Sequence, residues 1–361
     1  MTACTQSLIN LMAPRMSVHW YSWSNGAAKL SFWFRLSKAV RAQWSPWKVL
    51  FSRRAEQHVF YMPSNAGFAL YFNLLAIAAA RIRGYRCVLH HHIYIYLNRY
   101  DWRMKLLDRL LGVEGLHVVL CPHMEQQLRS RYNCRAAVAI VPSAIQLLQS
   151  SFAAAVPTAL PDAPPKRFCL GHLGNLSMAK GLDLAIDTLR ALRRNNRDVK
   201  LVLAGPVQSK REAHLIEEAK QEFADRFEYR GPVYGDEKRR FFEEIDAVLF
   251  PTRYPDAQPL VITETFGFGR PVLSYGRGCI PGMMGSKTDW SIAVTDDFVA
   301  RAVPLIEAWI DDPQGFPDAC RFARRRYDDL LTEANRAFED FVLWVRGESP
   351  PGFAHRGPRS N

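Results

Sequence analysis

Residues 167–186 read RFCLGHLGNLSMAKGLDLAI, and residues 245–275 read IDAVLFPTRYPDAQPLVITETFGFGRPVLSY. Each is a short apolar run, then a turn bearing glycine or proline, then a stretch with helical spacing of apolar side chains. Strand, turn and helix in that order is the unit of a parallel α/β sheet. In the first stretch Leu182, Ala185, Ile186, Leu189 and Leu192 fall on one face of a helix predicted over 181–194.

The same rhythm extends both ways. Downstream of the first stretch it predicts strands at 199–204 and 227–229 and helices at 212–224 and 237–244; after the second, a strand at 271–275 and a helical stretch over 318–345. Upstream lie strands at 59–62, 87–90, 117–121 and 138–141, with helices at 68–83 and 122–132. Between the halves, residues 150–167 carry Pro157, Pro161, Pro164 and Pro165 among small residues, which reads as a linker. We therefore expect an N-terminal domain over 1–150, a linker over 151–166 and a C-terminal domain over 167–325. A C-terminal helix over 326–346 packing back on the first domain and a disordered tail over 347–361 complete the expectation.

A chain of 361 residues suits two domains of roughly 150–200 residues each. The net charge of +12 is uneven: residues 1–150 hold 18 Lys or Arg against 5 Asp or Glu, and the remainder is close to neutral. Seven scattered cysteines without a C-x-x-C pair suit reduced thiols, not a disulfide framework or zinc ribbon. Residues 1–18 lack a signal-peptide pattern, and the apolar run 66–80 is too short to span a bilayer. These features favour a cytoplasmic protein.

Three strand-end turns of the second half could carry chemistry. In 171–181 the glycines allow close backbone approach, the following helix offers free N–H groups, and Lys180 adds a charge suited to phosphate. A plain structural turn reads the same way, and the turn at Gly205 reads as structural by itself. In 250–264 Pro259 suits the first turn of a helix, with Asp256 ahead of it and Glu264 more than a turn inside. A diphosphate could sit on the N–H groups of Gln258, Leu260 and Val261, flanked by carboxylates that hold sugar hydroxyls. Alternatively Asp256 caps the helix and Glu264 is solvated.

Taken together, LGNLSMAKGLDLAI, VKLVLAGP, FEYRGPVYGDEK and IDAVLFPTRYPDAQPLVITETFGFGRPVLS resemble, in order and spacing, the donor domain of group 1 (family 4) retaining glycosyltransferases. The first half resembles the family more loosely, through VFYMPSN, RIRGYRCVLHHH and LHVVLCPHMEQQL. The resemblance implies the GT-B fold: two doubly wound Rossmann-like domains facing across a cleft. It implies that Lys180 pairs with the donor diphosphate and Glu264 holds the ribose. Asp256, Ala257, Gln258, Pro259, Leu260 and Val261 would contact sugar and phosphates, Val233 would flank the base, and Gly174, Asn175 and Gly205 would complete the donor site. The family commonly works without a metal. Two departures stand out: Asn175 replaces a usual Arg, and Asp256 replaces a usual Glu.

In the first half, His90, His91 and His92 end a strand, so His90 and His92 share a face and His91 points away. Adjacent positions on one strand converge poorly on one ion, so no metal is expected. The resemblance favours His92, then His90, as a cleft histidine that hydrogen-bonds the donor sugar; a packed histidine remains the plain alternative. Asn25 and Gly26 could serve as a first-domain glycine turn. Residues 29–54 mix Trp33, Trp44 and Trp47 with seven basic residues, which suits either a buried helix or an element lying on anionic lipid.

The expected function is transfer of a hexose from a nucleotide-sugar, UDP- or GDP-linked, to a glycan or lipid-linked acceptor in cell-surface polysaccharide synthesis. Such a protein would be peripheral on the inner face of the plasma membrane, need no cofactor and bind no nucleic acid. A catalytically silent GT-B-like scaffold in a glycan assembly complex is the alternative.

Overall fold

The structure is a computed structural model that describes residues 3–19, 59–148, 150–348 and 350. It divides into unit 1, Met1–Gln146 with Glu333–Asn361, and unit 2, Leu147–Thr332. Asn25, Gly26, the segment 29–54 and all but three residues of the expected tail lie outside the described residues.

The sheet of unit 1 holds β1 (Val59–Pro63), β2 (Arg86–His90), β3 (Leu116–Val119) and β4 (Ala137–Ile140). All pairings are parallel, and these strands lie in chain order. The helix expected over 68–83 forms at Leu70–Ile82 behind one short turn at Gly67–Ala69. Its polar intruder, Asn73, is fully buried and useful there: the side-chain oxygen accepts from the Asn65 N–H at 2.9 Å and the amide donates to the Pro63 carbonyl at 3.2 Å. That clamp fixes the exit of β1. The expected strand 117–121 ends at Val119, because Cys121 takes the N-cap position of the helix Pro122–Tyr132.

Unit 2 carries β5 (Phe168–Leu173), β6 (Val199–Ala204), β7 (Phe227–Tyr229), β8 (Ala247–Phe250), β9 (Val272–Tyr275) and β10 (Ser291–Ile292). Its parallel sheet runs β10-β9-β8-β5-β6-β7. The chain starts in the middle, winds one way through β7, then returns to the other side of β5, which is the doubly wound order. The reversal falls between β5 and β8, and a crevice outside the carboxyl ends of those strands is where such sheets bind ligands. The helix Leu182–Arg194 buries Leu182, Ala185, Ile186, Leu189 and Leu192, the face anticipated from spacing. The helices Trp102–Leu111 and Phe298–Asp311 were not anticipated, the latter because it contains Pro304.

The stretch expected to be a linker belongs to unit 2 and includes a short helix, Ser151–Ala154. The last helix, Gly315–Val345, is divided between the units. Phe316, Cys320, Ala323 and Tyr327 are buried in its unit 2 part; Ala334, Phe338, Phe341 and Trp344 are buried in its unit 1 part. Arg86 lies 3.9 Å over the Trp344 ring, and Arg15 meets Glu339 at 2.6 Å. Cys87, Cys134, Cys169 and Cys320 are free, and burial pushes each thiol up to about 12. The reduced-thiol expectation for the seven cysteines is met at these four and not at Cys121 and Cys279, which are disulfide-bonded.

Candidate functional site

The two loops at the reversal point of unit 2, 174–181 after β5 and 251–259 after β8, are bound to each other. The Arg253 N–H donates to the Ala179 carbonyl at 2.9 Å, and its guanidinium takes both oxygens of Asp183 at 2.7 Å while also reaching the Met178 carbonyl. Gly181 (φ +79°) sits so close that an added Cβ would stand 2.3 Å from the Pro251 carbonyl oxygen. Gly205, in the turn after β6, has φ +134°, and a Cβ there would fall 1.8 Å from the Gly174 carbonyl oxygen. Only glycine fits at either place. The Leu176 N–H donates to Pro206 and the Gln208 N–H to Leu176, lacing the turns after β5 and β6 together.

This framework brings Lys180 and Asp256 together. The Lys180 ammonium donates to both Asp256 oxygens, at 2.6 and 2.8 Å, with both side chains about one fifth to one quarter exposed. The same ammonium lies 5.5 Å over the Phe250 ring. Asp256 is therefore held by Lys180, and no cap bond from it to the next helix is formed. Pro259 is not in the first turn as anticipated: it occupies the N-cap (φ −63°, ψ 119°), and the helix is Leu260–Gly267. Its fixed φ suits that place, and the amides of Leu260 and Val261 have no intrahelical acceptor behind them. Gln258 ahead of it takes φ +52° and is buried, a strained conformation for a residue with a side chain.

Glu264 is buried, not solvated, and accepts from the Lys238 ammonium at 2.6 Å. Lys238 stands on the helix Gly235–Glu244, and Val233, ahead of that helix, is buried. Asn175 is exposed beside the glycines. The sequence reading missed Lys238 and Arg253. Both are the usual cations of surface loops and helices in sequence; only their partners, 26 and 70 positions away, single them out. It also missed His172, fully buried on β5. Its Nδ1–H donates to the Leu249 carbonyl at 2.9 Å, Nε2 has no partner, and burial lowers its pKa to about 4.

In unit 1 the histidine alternation holds. The His90 and His92 rings lie 4.0 Å apart, and His90 shares a 2.7 Å hydrogen bond with Tyr61. The Nε2 atoms of His90 and His92 are buried without partners. Burial holds His92 down at about 4 and His90 and His91 well below the usual histidine range. His91, on the other side, joins a buried chain: Ser64 to Tyr96, Tyr96 to His91 Nδ1 at 2.9 Å, His91 Nε2 to His117 at 2.9 Å, and His117 to Asp108 at 3.3 Å. One proton per link accounts for each of these four hydrogen bonds, while Asp108 Oδ2 is buried without a hydrogen-bond partner. Asp108, His117 and Cys134 place ligand-type atoms within 4.8 Å of one another, the one such group among the described residues. Asp108 Oδ1 already accepts from the Arg135 N–H, and Lys105 stands 3.7 Å from Oδ2, so a cation would compete with an ammonium group.

Residues 167–308 match the family of group 1 glycosyl transferases. Glycogen synthase from two Mycobacterium tuberculosis strains is 26% identical over 185 residues, 50% of this chain and 44% of the relative, so the match spans under half the length of those relatives. Among solved structures, Anabaena Alr3699/HepE with UDP and glucose is 15% identical, with a TM-score of 0.63 over 87% of this chain and 84% of that one. Sucrose-phosphate synthase from Thermosynechococcus elongatus is 16% identical, with a TM-score of 0.57 over 80% and 73%. The chain has the GT-B architecture of two parallel-sheet Rossmann-like domains, and its second half is similar to the group 1 glycosyl transferases.

Proposed function

We propose that the protein is a retaining, family 4 glycosyltransferase that moves a hexose from a UDP- or GDP-sugar to a glycan or lipid-linked acceptor in cell-surface polysaccharide synthesis. The observation that carries this reading is the meeting of Lys180, Asp256 and the Pro259 helix start at the reversal point of the unit 2 sheet. A diphosphate arriving there would take over the Lys180 ammonium from Asp256 and accept from the Leu260 and Val261 amides. Asp256 would then be free to accept a sugar hydroxyl, while Glu264, steadied by Lys238, would hold the ribose.

As the bond between the sugar carbon and the diphosphate oxygen breaks, negative charge grows on the leaving group. The ammonium and helix amides stabilise it without a metal. The acceptor hydroxyl oxygen forms the new bond to the sugar carbon, and its proton passes to the departing diphosphate oxygen. His92, with its buried and unpartnered Nε2, would hydrogen-bond a sugar hydroxyl. The basic first half supports contact with an anionic membrane surface, and no helix among the described residues is long and apolar enough to cross a membrane.

A thermal-shift screen of UDP-, GDP- and dTDP-sugars tests this. At least one should raise the melting temperature, and Lys180→Ala and Glu264→Ala should each abolish the shift. A flat response to every donor would overturn the proposal. The Lys180–Asp256 pair also fits a second reading, a silent GT-B-like scaffold whose cation is satisfied internally. Transfer activity that appears only in the Asn175→Arg, Asp256→Glu double variant would favour that reading.

A further inference from the structure

The helices Leu70–Ile82 and Trp102–Leu111 of unit 1 pack side by side. Their inner faces bury Leu74, Ile77, Leu107 and Leu111, which suffices to seat them. Their outer faces are apolar as well. Phe68 is 74% exposed, Leu75 54%, Ile82 74% and Trp102 56%. Positions 71, 75 and 82 recur at helical spacing and so form one stripe, with 102 and 106 forming another. The stripes run alongside each other: Tyr71 and Trp102 have ring centroids 6.2 Å apart at one end, and Arg81 reaches Glu114 at 3.4 Å at the other. Exposed apolar side chains are thus spread over about 20 Å of this helix pair. A surface of that extent marks a docking site.

Its surroundings say what docks. Residues 59–146 hold ten Lys or Arg against four Asp or Glu. Arg99 and Arg109 are exposed, Arg109 one helical turn from Leu106. Arg103 lies 5.1 Å over the Tyr71 ring. Tryptophan, tyrosine and phenylalanine beside aliphatic side chains, rimmed by arginine, match the boundary between acyl chains and anionic headgroups. We propose that this face seats the protein on an anionic bilayer, with Phe68, Leu75, Ile82 and Trp102 entering the acyl boundary and Arg99 and Arg109 meeting lipid phosphates. The inference deepens the membrane part of the function proposed above and uses no residue of the donor loops.

Sedimentation of the full-length protein with phosphatidylcholine vesicles, with and without phosphatidylglycerol, tests it. The protein should pellet with the anionic vesicles and be released by salt. Leu75→Glu combined with Ile82→Glu should lower the partition roughly a hundredfold, and Arg99→Ala with Arg109→Ala roughly tenfold. Because these side chains are exposed, both variants should keep the wild-type melting temperature and the same stabilisation by donor sugars. A wild-type protein that stays in the supernatant, through residues 20–58 or a second copy of the chain covering the face, overturns the proposal. So does a folded Leu75→Glu, Ile82→Glu protein that pellets like wild type. A protein that pellets yet is stabilised by no nucleotide-sugar would sink the donor reading and leave this face standing.

Discussion

In unit 2, Lys180 meets both oxygens of Asp256 and Lys238 meets Glu264, so each of these two lysines is answered by a carboxylate. In unit 1, His90, His91 and His92 stand in a row; His90 is partnered by Tyr61, and His91 by Tyr96 and His117. The first arrangement keeps full charges at half-buried positions by pairing them. An anion that took over Lys180 would release the Asp256 carboxylate, which would then need a hydrogen-bond donor from the ligand or from water. The second strips charge away by burial and leaves hydrogen-bonding groups that neither attract nor repel ions. One fold type thus presents two different surfaces to ligands, set by how deep the polar groups lie.

That contrast can be broken at the backbone first. The unit 2 loops interlock through glycines, so Gly205→Ala must push the Gly174 carbonyl away and should cost about 3 kcal/mol or more, read as a loss in urea unfolding. Gly67 in unit 1 also has positive φ (+59°) but has open space around it, and Gly67→Ala should cost only about 1 kcal/mol. Equal losses at the two sites would show that the loops of unit 2 are no more tightly interlocked than a surface turn.

Proton uptake sharpens the comparison next. His92 and His172 titrate near 4 when folded, and burial holds His90 and His91 well below the usual histidine range, whereas unfolded histidine titrates near 6.5. Between those values the unfolded chain binds more protons, so stability should fall as pH drops below about 6.5, by up to about 1.4 kcal/mol per pH unit for each such histidine. Asp246, raised by burial to about 6, binds its proton more tightly when folded and opposes part of that slope. His92→Gln should flatten the curve measured by denaturant titration across pH 4.5–7. An unchanged curve would mean that His92 is not buried neutral.

The smallest effect concerns the Arg253 fork. Lysine keeps the charge but cannot take both oxygens of Asp183 and the Met178 carbonyl at once, so Arg253→Lys should cost about 1 kcal/mol and loosen the 174–181 loop. Hydrogen exchange at Ala179 and Lys180 would report the loosening. Unchanged exchange would show that the backbone bonds alone hold the loop.

The alternation of apolar runs and turns by itself determined the parallel α/β class, the helix faces such as Leu182 to Leu192, and the turns at which Lys180 and Asp256 sit, because burial demands periodicity and strand ends demand glycine or proline. It determined too that His90 and His92 share a face. Folding alone decided which charges meet. Lys238 and Glu264, Arg253 and Asp183, and Lys180 and Asp256 are brought together by strand order, which no local pattern encodes. It decided that Pro259 stands before its helix, that Glu264 is buried, and that apolar residues at 68, 75, 82 and 102 face outward instead of into the core. Periodicity says that a helix has an apolar side; only packing says how many of its sides are covered.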